Sequence, residues 1–307
     1  MRNSTNFFLL NLSVADLFVL TICMPSALLE FHSKDIWYLG EAMCKLVPYL
    51  ENLSSHASVL TILAISFERY YAICHPFQAQ YNCTAERSIK VLIGVWIFAI
   101  AVSVPFIFTT ELGTAKFTKT GQTVTTCRTV ATTRKSRAFF TTNIALFFFI
   151  PVVILVVLYS NIILRLFNDA QQLLQGDVNS SSTLRTRRQV VYMLISIIVL
   201  FVTCMLPFRI LSFYMMFTPM ERIRSEVGMY GMLYLVLFSR IMYYLNSAGN
   251  FVVYNVLSTK FRDAFRKALC PRVHKTRLER RLTLSTYYSS GARHTYYEKD
   301  SDEPVSI

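Results

Sequence analysis

Six stretches of this 307-residue chain are apolar over lengths suited to a helix crossing a bilayer. They run at about Phe7–Glu30, Met43–Tyr71, Ile89–Thr109, Phe139–Phe167, Gln189–Phe217 and Met229–Leu257. Crossing about 30 Å of hydrocarbon takes roughly 20 helical residues, whereas a spanning strand needs only about 10. A spanning segment must also pair its own backbone groups, which a helix does within itself. The expected fold is an all-α membrane protein, a bundle of six spans. Composition enters at one point: charged residues make up only 16% of the chain, against about 25% for a soluble domain. That is too little charge for a polar shell and excludes an ordinary soluble enzyme.

The net charge is +13, and the basic excess is concentrated after Ser258. A basic tail beside anionic lipid is the simpler account, and no nucleic-acid partner is expected. Ser258–Leu269 reads as an amphipathic helix on the membrane surface, with Phe261, Phe265 and Leu269 opposite Lys260, Arg262, Arg266 and Lys267. The expected organisation is a bundle over 1–257, the surface helix over 258–269, and a disordered cytoplasmic tail over 270–307. The connections are read as loops at His32–Ala42, Cys74–Arg87, Glu111–Arg137, Asn168–Thr186 and Thr218–Gly228. No secretory signal precedes the first apolar run. Seven cysteines occur without CxxC spacing, so neither a zinc site nor a disulfide-dense scaffold is expected. Cys44 and Cys127 fall on the same side of the membrane. The loops alone do not decide orientation, but a disulfide between these two requires an oxidising, extracellular side.

Charges inside the spans carry the functional information. Each costs roughly 2.5–3.5 kcal/mol at a helix centre, so a partner or a wet cavity must offset it. Asp16 lies mid-span in the first segment, Glu51 near the outer end of the second, and Arg209 and Arg240 in the outer halves of the last two. One reading is a plain ion pair between Glu51 and an arginine. The other is a water-accessible pocket opening outward, lined by Glu51, Asn52, Ser55, Arg209 and Arg240. In the second span Glu51, Ser55, Ser58, Ile62, Ile65 and Arg69 recur at helical spacing, polar at the top, apolar in the middle and charged at the bottom.

An ordered set of motifs resembles the rhodopsin-like (class A) G-protein-coupled receptors. Asn11-Leu-Ser-Val-Ala-Asp16-Leu resembles that family's second helix. Cys44 with Glu68-Arg69-Tyr70 resembles the third, Trp96 the fourth, and Pro151 with Tyr159 the fifth. Cys204-Met-Leu-Pro207-Phe is similar to the sixth, and Asn246-Ser247-Ala-Gly-Asn250-Phe-Val-Val-Tyr254 to the seventh. Met1–Phe8, the run from Ser58 to Cys74, Leu206-Pro-Phe-Arg209 and the run from Arg240 to Ser247 look closest to the ecdysis-triggering hormone and thyrotropin-releasing hormone receptor group. Glu51, His56 and Leu206-Pro-Phe-Arg209 favour the former.

The resemblance implies a seven-transmembrane-type bundle whose first helix lies outside this chain, at the plasma membrane. It implies a short C-terminally amidated peptide as agonist, a heterotrimeric G protein of Gq type with calcium signalling, and arrestin. Glu51 would pair with a basic residue of the peptide, and the two arginines with its carbonyl or amide oxygens. Asp16, Ser58, Asn246, Ser247 and Asn250 would surround a hydrated Na⁺, the alternative being a polar network holding water alone. Glu68, Arg69, Tyr70, Tyr159 and Tyr254 would carry activation and G-protein coupling. Two departures stand out: Met205 replaces a common Trp, and Phe251 replaces a Pro, which restores a backbone N–H and removes a kink.

Cys270 is a palmitoylation candidate, with a free cytosolic thiol as the alternative. Thr283, Ser285, Thr286, Ser289 and Ser290 are candidate phosphorylation sites for arrestin recruitment. The sequons at Asn3, Asn11, Asn52, Asn82 and Asn179 all fall in cytoplasmic or intramembrane positions, so no N-glycan is expected. No P-loop, HExxH or GxSxG is present, so the chain is not read as an enzyme. The other readings are a truncated receptor that does not signal, and a transporter or channel. The latter would show repeated halves or broken spans, and neither is visible.

Overall fold

The computed structural model describes residues 4–33, 36–82, 84–116, 123–173, 181–257 and 262. The chain divides into two units, Met1–Val253 and Tyr254–Ile307. Of the second, the described part is 254–257, at the end of a helix, and Arg262. The expected surface helix (Arg262 apart) and tail, with Cys270 and the candidate phosphorylation sites, lie outside the described residues.

The first span is α1 (Ser4–Phe18) and α2 (Met24–His32), joined by one π-helical turn at Val19–Cys23. A second π-turn, Ala145–Phe149, joins α7 (Arg134–Ile144) to α8 (Ile150–Leu173). Both turns run up to a proline, Pro25 and Pro151. Proline lacks an N–H and clashes with the carbonyl four residues back. One extra residue in the turn relieves that clash, and Met24 N–H and Ile150 N–H reach back five residues, to Val19 O and Ala145 O.

Between these spans lie α3 (Gly40–Cys74), α4 (Pro76–Asn82), α5 (Ala85–Ser103) and α6 (Pro105–Thr109). The last two helices are α9 (Ser181–Phe217) and α10 (Met220–Leu257). The long helix α3 is central, packing against α1, α5, α6, α8 and α9. Its stripe of Glu51, Ser55, Ser58, Ile62 and Ile65 is buried. Helix α5 is inverted relative to a soluble protein: Ile89, Ile93, Ile97, Ile100 and Phe108 are exposed along the α5–α6 span, while the small Ser88, Ala99 and Ser103 face the bundle. Small inward residues allow close helix approach in lipid. Asn11 of α1 fastens three helices, donating to Thr61 Oγ1 (2.8 Å) and accepting from Trp96 Nε1 (2.6 Å).

Five stretches among the described residues are long and apolar enough to cross a membrane: Phe7–His32, Gly40–Cys74, Ala85–Thr109, Arg134–Gln171 and Arg187–Phe217. The expected sixth, 229–257, is helical as well. Its Arg240, Asn246, Ser247, Asn250 and tyrosines dilute its apolar character. A break at Gly228 (φ 73°) separates it from a preceding helix over 220–227. That shorter helix occupies the region expected as the loop Thr218–Gly228.

Other expected loops also hold regular structure. Within Cys74–Arg87 lies α4, and the Asn168–Thr186 region is entered by α8 as far as Leu173 and by α9 from Ser181. The largest departure from an all-α fold is an antiparallel hairpin in the expected loop Glu111–Arg137: β1 (Thr110–Lys116) pairs with β2 (Thr123–Thr129), Cys127 opposite Leu112. Four threonines and a valine in β2 supply the β-branched residues that favour extended backbone. The Cys44–Cys127 disulfide ties β2 to the start of α3. Trp37 N–H donates to Thr125 O (2.8 Å), and Thr125 Oγ1 donates back to Trp37 O (3.0 Å).

Candidate functional site

At the outer end of α3, Glu51 is buried and is the hub of a polar cluster. Its Oε1 accepts from Arg240 Nη1 (3.1 Å) and from Tyr244 OH (2.6 Å). Tyr243 OH donates to the Glu51 carbonyl (2.7 Å), and Tyr244 OH also lies 3.4 Å from Cys23 O. Arg240, Tyr243 and Tyr244 stand at i, i+3 and i+4 on α10, so one face meets α3. Glu51 and Arg240 thus form an ion pair in this structure.

One helical turn further along α3, Ser55 Oγ accepts from Arg209 Nη2 (3.1 Å). Arg209 is only 7% exposed, and its buried Nε has no hydrogen-bond partner among the described residues. Among the described residues it forms no ion pair with a carboxylate. A guanidinium held out of water against one neutral hydroxyl is far from compensated. Beside Glu51, the Asn52 amide donates to Pro48 O within its own helix (2.8 Å).

A cavity of about 90 Å³ lies beside the Glu51–Arg240 pair. Ala27 and Glu30 of α2, Trp37, Val47 and Pro48 line it with Glu51 and Arg240, and Cys127 and Thr129 bring the hairpin over it. Sequence reasoning missed Glu30, Trp37, Tyr243 and Tyr244. The helical spacing of the two tyrosines from Arg240 was a usable signal. At the outer turn, Glu226 accepts from Arg222 Nε (2.6 Å) and Tyr214 OH (3.0 Å). The Arg222 bond above all holds its carboxyl below the usual carboxylate range.

Deeper in the bundle, Asp16 Oδ2 accepts from Asn250 Nδ2 (3.2 Å), and Ser247 also hydrogen-bonds the carboxylate. Ser58, Asn246, Ser247 and Asn250 are all buried. The side-chain oxygens of Asn246 and Asn250 are buried and have no partner among the described residues. A carboxylate flanked by unmet amide oxygens is a hard-oxygen donor set that fits Na⁺. A second polar centre, unassigned from sequence, joins α3, α5 and α7. His56 Nδ1 lies 2.9 Å from Ser103 Oγ, its Nε2 lies 3.1 Å from the Asn143 amide nitrogen, and its ring stacks on Phe147 at 4.0 Å.

At the inner end, Arg69 Nη2 donates to Glu68 Oε1 (2.8 Å). Tyr159 OH accepts from Ser66 Oγ (3.4 Å), which brings α8 to α3. Tyr70 stacks edge-on against Tyr71 and His75. Tyr254 begins the second unit of the chain.

Comparison with known proteins agrees with this architecture. The family profile of the 7 transmembrane receptor (rhodopsin family) matches residues 1–254. The thyrotropin-releasing hormone receptor of Gallus gallus is 36% identical over 294 residues, covering 88% of this chain and 71% of that protein. The QRFP-like peptide receptor of Branchiostoma floridae is 28% identical, over 90% of this chain and 71% of that protein. Neuromedin-U receptor 2 of Mus musculus is 30% identical, over 88% and 68%. With its apolar helices, its Cys44–Cys127 disulfide and a profile match across most of its length, this multi-pass plasma-membrane chain belongs to the rhodopsin family of seven-transmembrane receptors.

Proposed function

We propose that the chain is a receptor for a short C-terminally amidated peptide of the ecdysis-triggering hormone type, coupling through a Gq-type G protein to calcium release. Support for a peptide ligand comes from the relatives, which are named as thyrotropin-releasing hormone, QRFP-like peptide and neuromedin-U receptors. The observation that carries the reading is Arg209, a buried guanidinium whose Nε has no acceptor among the described residues. Carbonyl or amide oxygens at the peptide's C-terminus supply that acceptor, with Glu51, Asn52, Ser55 and Arg240 forming the rest of the pocket. Agonist binding need only favour the active arrangement of helices, because a ligand shifts an equilibrium by its differential affinity.

At the centre, Asp16, Ser58, Asn246, Ser247 and Asn250 hold a hydrated Na⁺ in the resting state. At the inner face, activation releases Arg69 from Glu68, and Tyr70, Tyr159 and Tyr254 complete the surface that receives the G protein. Arrestin engages the phosphorylated tail, Cys270 is palmitoylated, and the basic residues after Ser258 meet the anionic lipid headgroups. The decisive experiment is a calcium assay in cells displaying the receptor, with amidated peptides set against their free acids. A response to amidated peptides that falls about tenfold to a hundredfold in potency in Arg209→Gln is expected, since one charge-assisted bond is worth about 1.5–3 kcal/mol. No response to any amidated peptide at normal surface display rejects the reading.

A further inference from the structure

From Glu111 to Arg137 the chain carries six basic residues, Lys116, Lys119, Arg128, Arg134, Lys135 and Arg137, against the single acid Glu111. The hairpin register sets that acid opposite Arg128. The rest of the excess gathers at the head of α7, where Arg134, Lys135 and Arg137 are all exposed. Among the described residues none of these three is in an ion pair with a carboxylate. The Cys44–Cys127 disulfide puts this side of the membrane outside the cell.

Folding does not account for the charge. Cations in the first turn of a helix oppose its dipole. The end of α7 is closed without them, by Thr133 and Ser136, each backbone N–H donating to the other's hydroxyl at 3.1 Å. Anionic lipid does not account for it either, because those headgroups face the cytoplasm. The three side chains instead share one surface. A helix turns about 100° per residue, so they fall within an arc of about 160° over a rise of about 4.5 Å. Arg137 Nε donates to Ala131 O (3.2 Å), which ties its guanidinium to the turn between β2 and α7. A linear polyanion crossing the helix end meets all three cations in succession. Guanidinium forks pair with tetrahedral oxyanions through parallel N–H···O bonds, and lysine adds a point charge. Arg134-Lys135-Ser136-Arg137 thus has the basic density of a heparin-type patch.

We propose that Arg134, Lys135 and Arg137 form an extracellular docking surface for a sulfated glycosaminoglycan chain, which tethers the receptor to the sugar coat of cells. The surface depends on the chain's place in the plasma membrane and on no particular agonist.

The test displays the full chain on intact cells that make no glycosaminoglycans, and measures fluorescent heparin bound to them. The closed membrane keeps the basic residues after Ser258 away from the probe. Heparin should bind above the level of cells without the receptor, and desulfated heparin, which keeps its carboxylates, should compete poorly. Arg134→Gln/Lys135→Gln/Arg137→Gln should weaken binding about tenfold or more at equal surface display and flatten its salt dependence, since fewer counterions are released. Lys135→Gln alone should cost several-fold. Lys45→Gln, which removes the same charge elsewhere on the outer side, should cost nothing. Should the triple variant fail to reach the surface, Arg134→Gln/Lys135→Gln serves, because it leaves the Arg137–Ala131 bond in place. Heparin bound equally by wild type and variants, or by neither, overturns the surface. In that case a lower melting point of the variants in neutral-lipid nanodiscs would make the three side chains headgroup anchors. Equal competition by desulfated heparin overturns the assignment to sulfate.

Discussion

At the scale of single residues, the outer pocket is a problem of paired and unpaired charge. Glu51 and Arg240 neutralise each other across α3 and α10 at 3.1 Å. Removing one partner strands the other in a low-dielectric site, which costs far more than the pair contributes. Glu51→Gln and Arg240→Ala should therefore each lower both the melting point and agonist potency. The double variant Glu51→Gln/Arg240→Met should recover much of the melting point but not the potency. A double-mutant cycle on the two measurements checks this, with a coupling of about 1–3 kcal/mol expected in stability. Strictly additive losses in melting point would show that the two side chains act independently. Glu51 and Arg240 were legible in the sequence because a charge inside an apolar run demands an explanation. Glu30 was not, because a carboxylate at the edge of a span is ordinary. His56, Ser103 and Asn143 converge from three helices, and no spacing along one chain reveals that.

At the scale of elements, apolar length made the spans readable, while short-range chemistry hid what lies between them. The hairpin over Thr110–Thr129 is rich in threonine and reads as a polar loop, since its strands bury no continuous apolar face. Pro25 and Pro151 were visible, but the π-turns that precede them depend on helix packing to decide where the extra residue goes. The hairpin matters for function because Cys127 and Thr129 cover the cavity. The Cys44–Cys127 bond closes a separation of 83 residues, worth up to about 4.6 kcal/mol by the loop-entropy estimate. Reduction with dithiothreitol, or Cys127→Ser, should lower the melting point in nanodiscs and release the hairpin from α3. Hydrogen exchange should then rise across 123–129 and at Trp37, whose N–H is held by Thr125 O. Unchanged protection of those amides after reduction would show that Trp37 and Thr125 hold the hairpin without the disulfide.

At the scale of the whole molecule, α3 carries Glu51 of the outer pocket, buried Ser58 and the inner Glu68–Arg69 pair in turn along its length. A separate buried polar group is Asp16 with Asn246, Ser247 and Asn250. Buried oxygens without donors are costly in hydrocarbon, so the Asn246 and Asn250 carbonyls need a cation or water. If Na⁺ occupies this centre in the resting arrangement and is excluded from the active one, sodium and agonist oppose each other through the same two-state equilibrium. The coupling is reciprocal: whatever factor sodium takes from agonist affinity, agonist takes from sodium affinity. A tenfold effect corresponds to about 1.4 kcal/mol. Raising NaCl from a few millimolar to about 150 mM, with choline holding ionic strength constant, should weaken agonist binding several-fold. Asp16→Asn keeps the shape of the site but removes its charge, so agonist affinity in that variant should be the same in sodium and in choline. Asn250→Ala should blunt the sodium effect by removing one of the unmet acceptors. Equal agonist affinity in sodium and choline for the unaltered receptor would leave water as the occupant of this centre, with no sodium term in agonist binding.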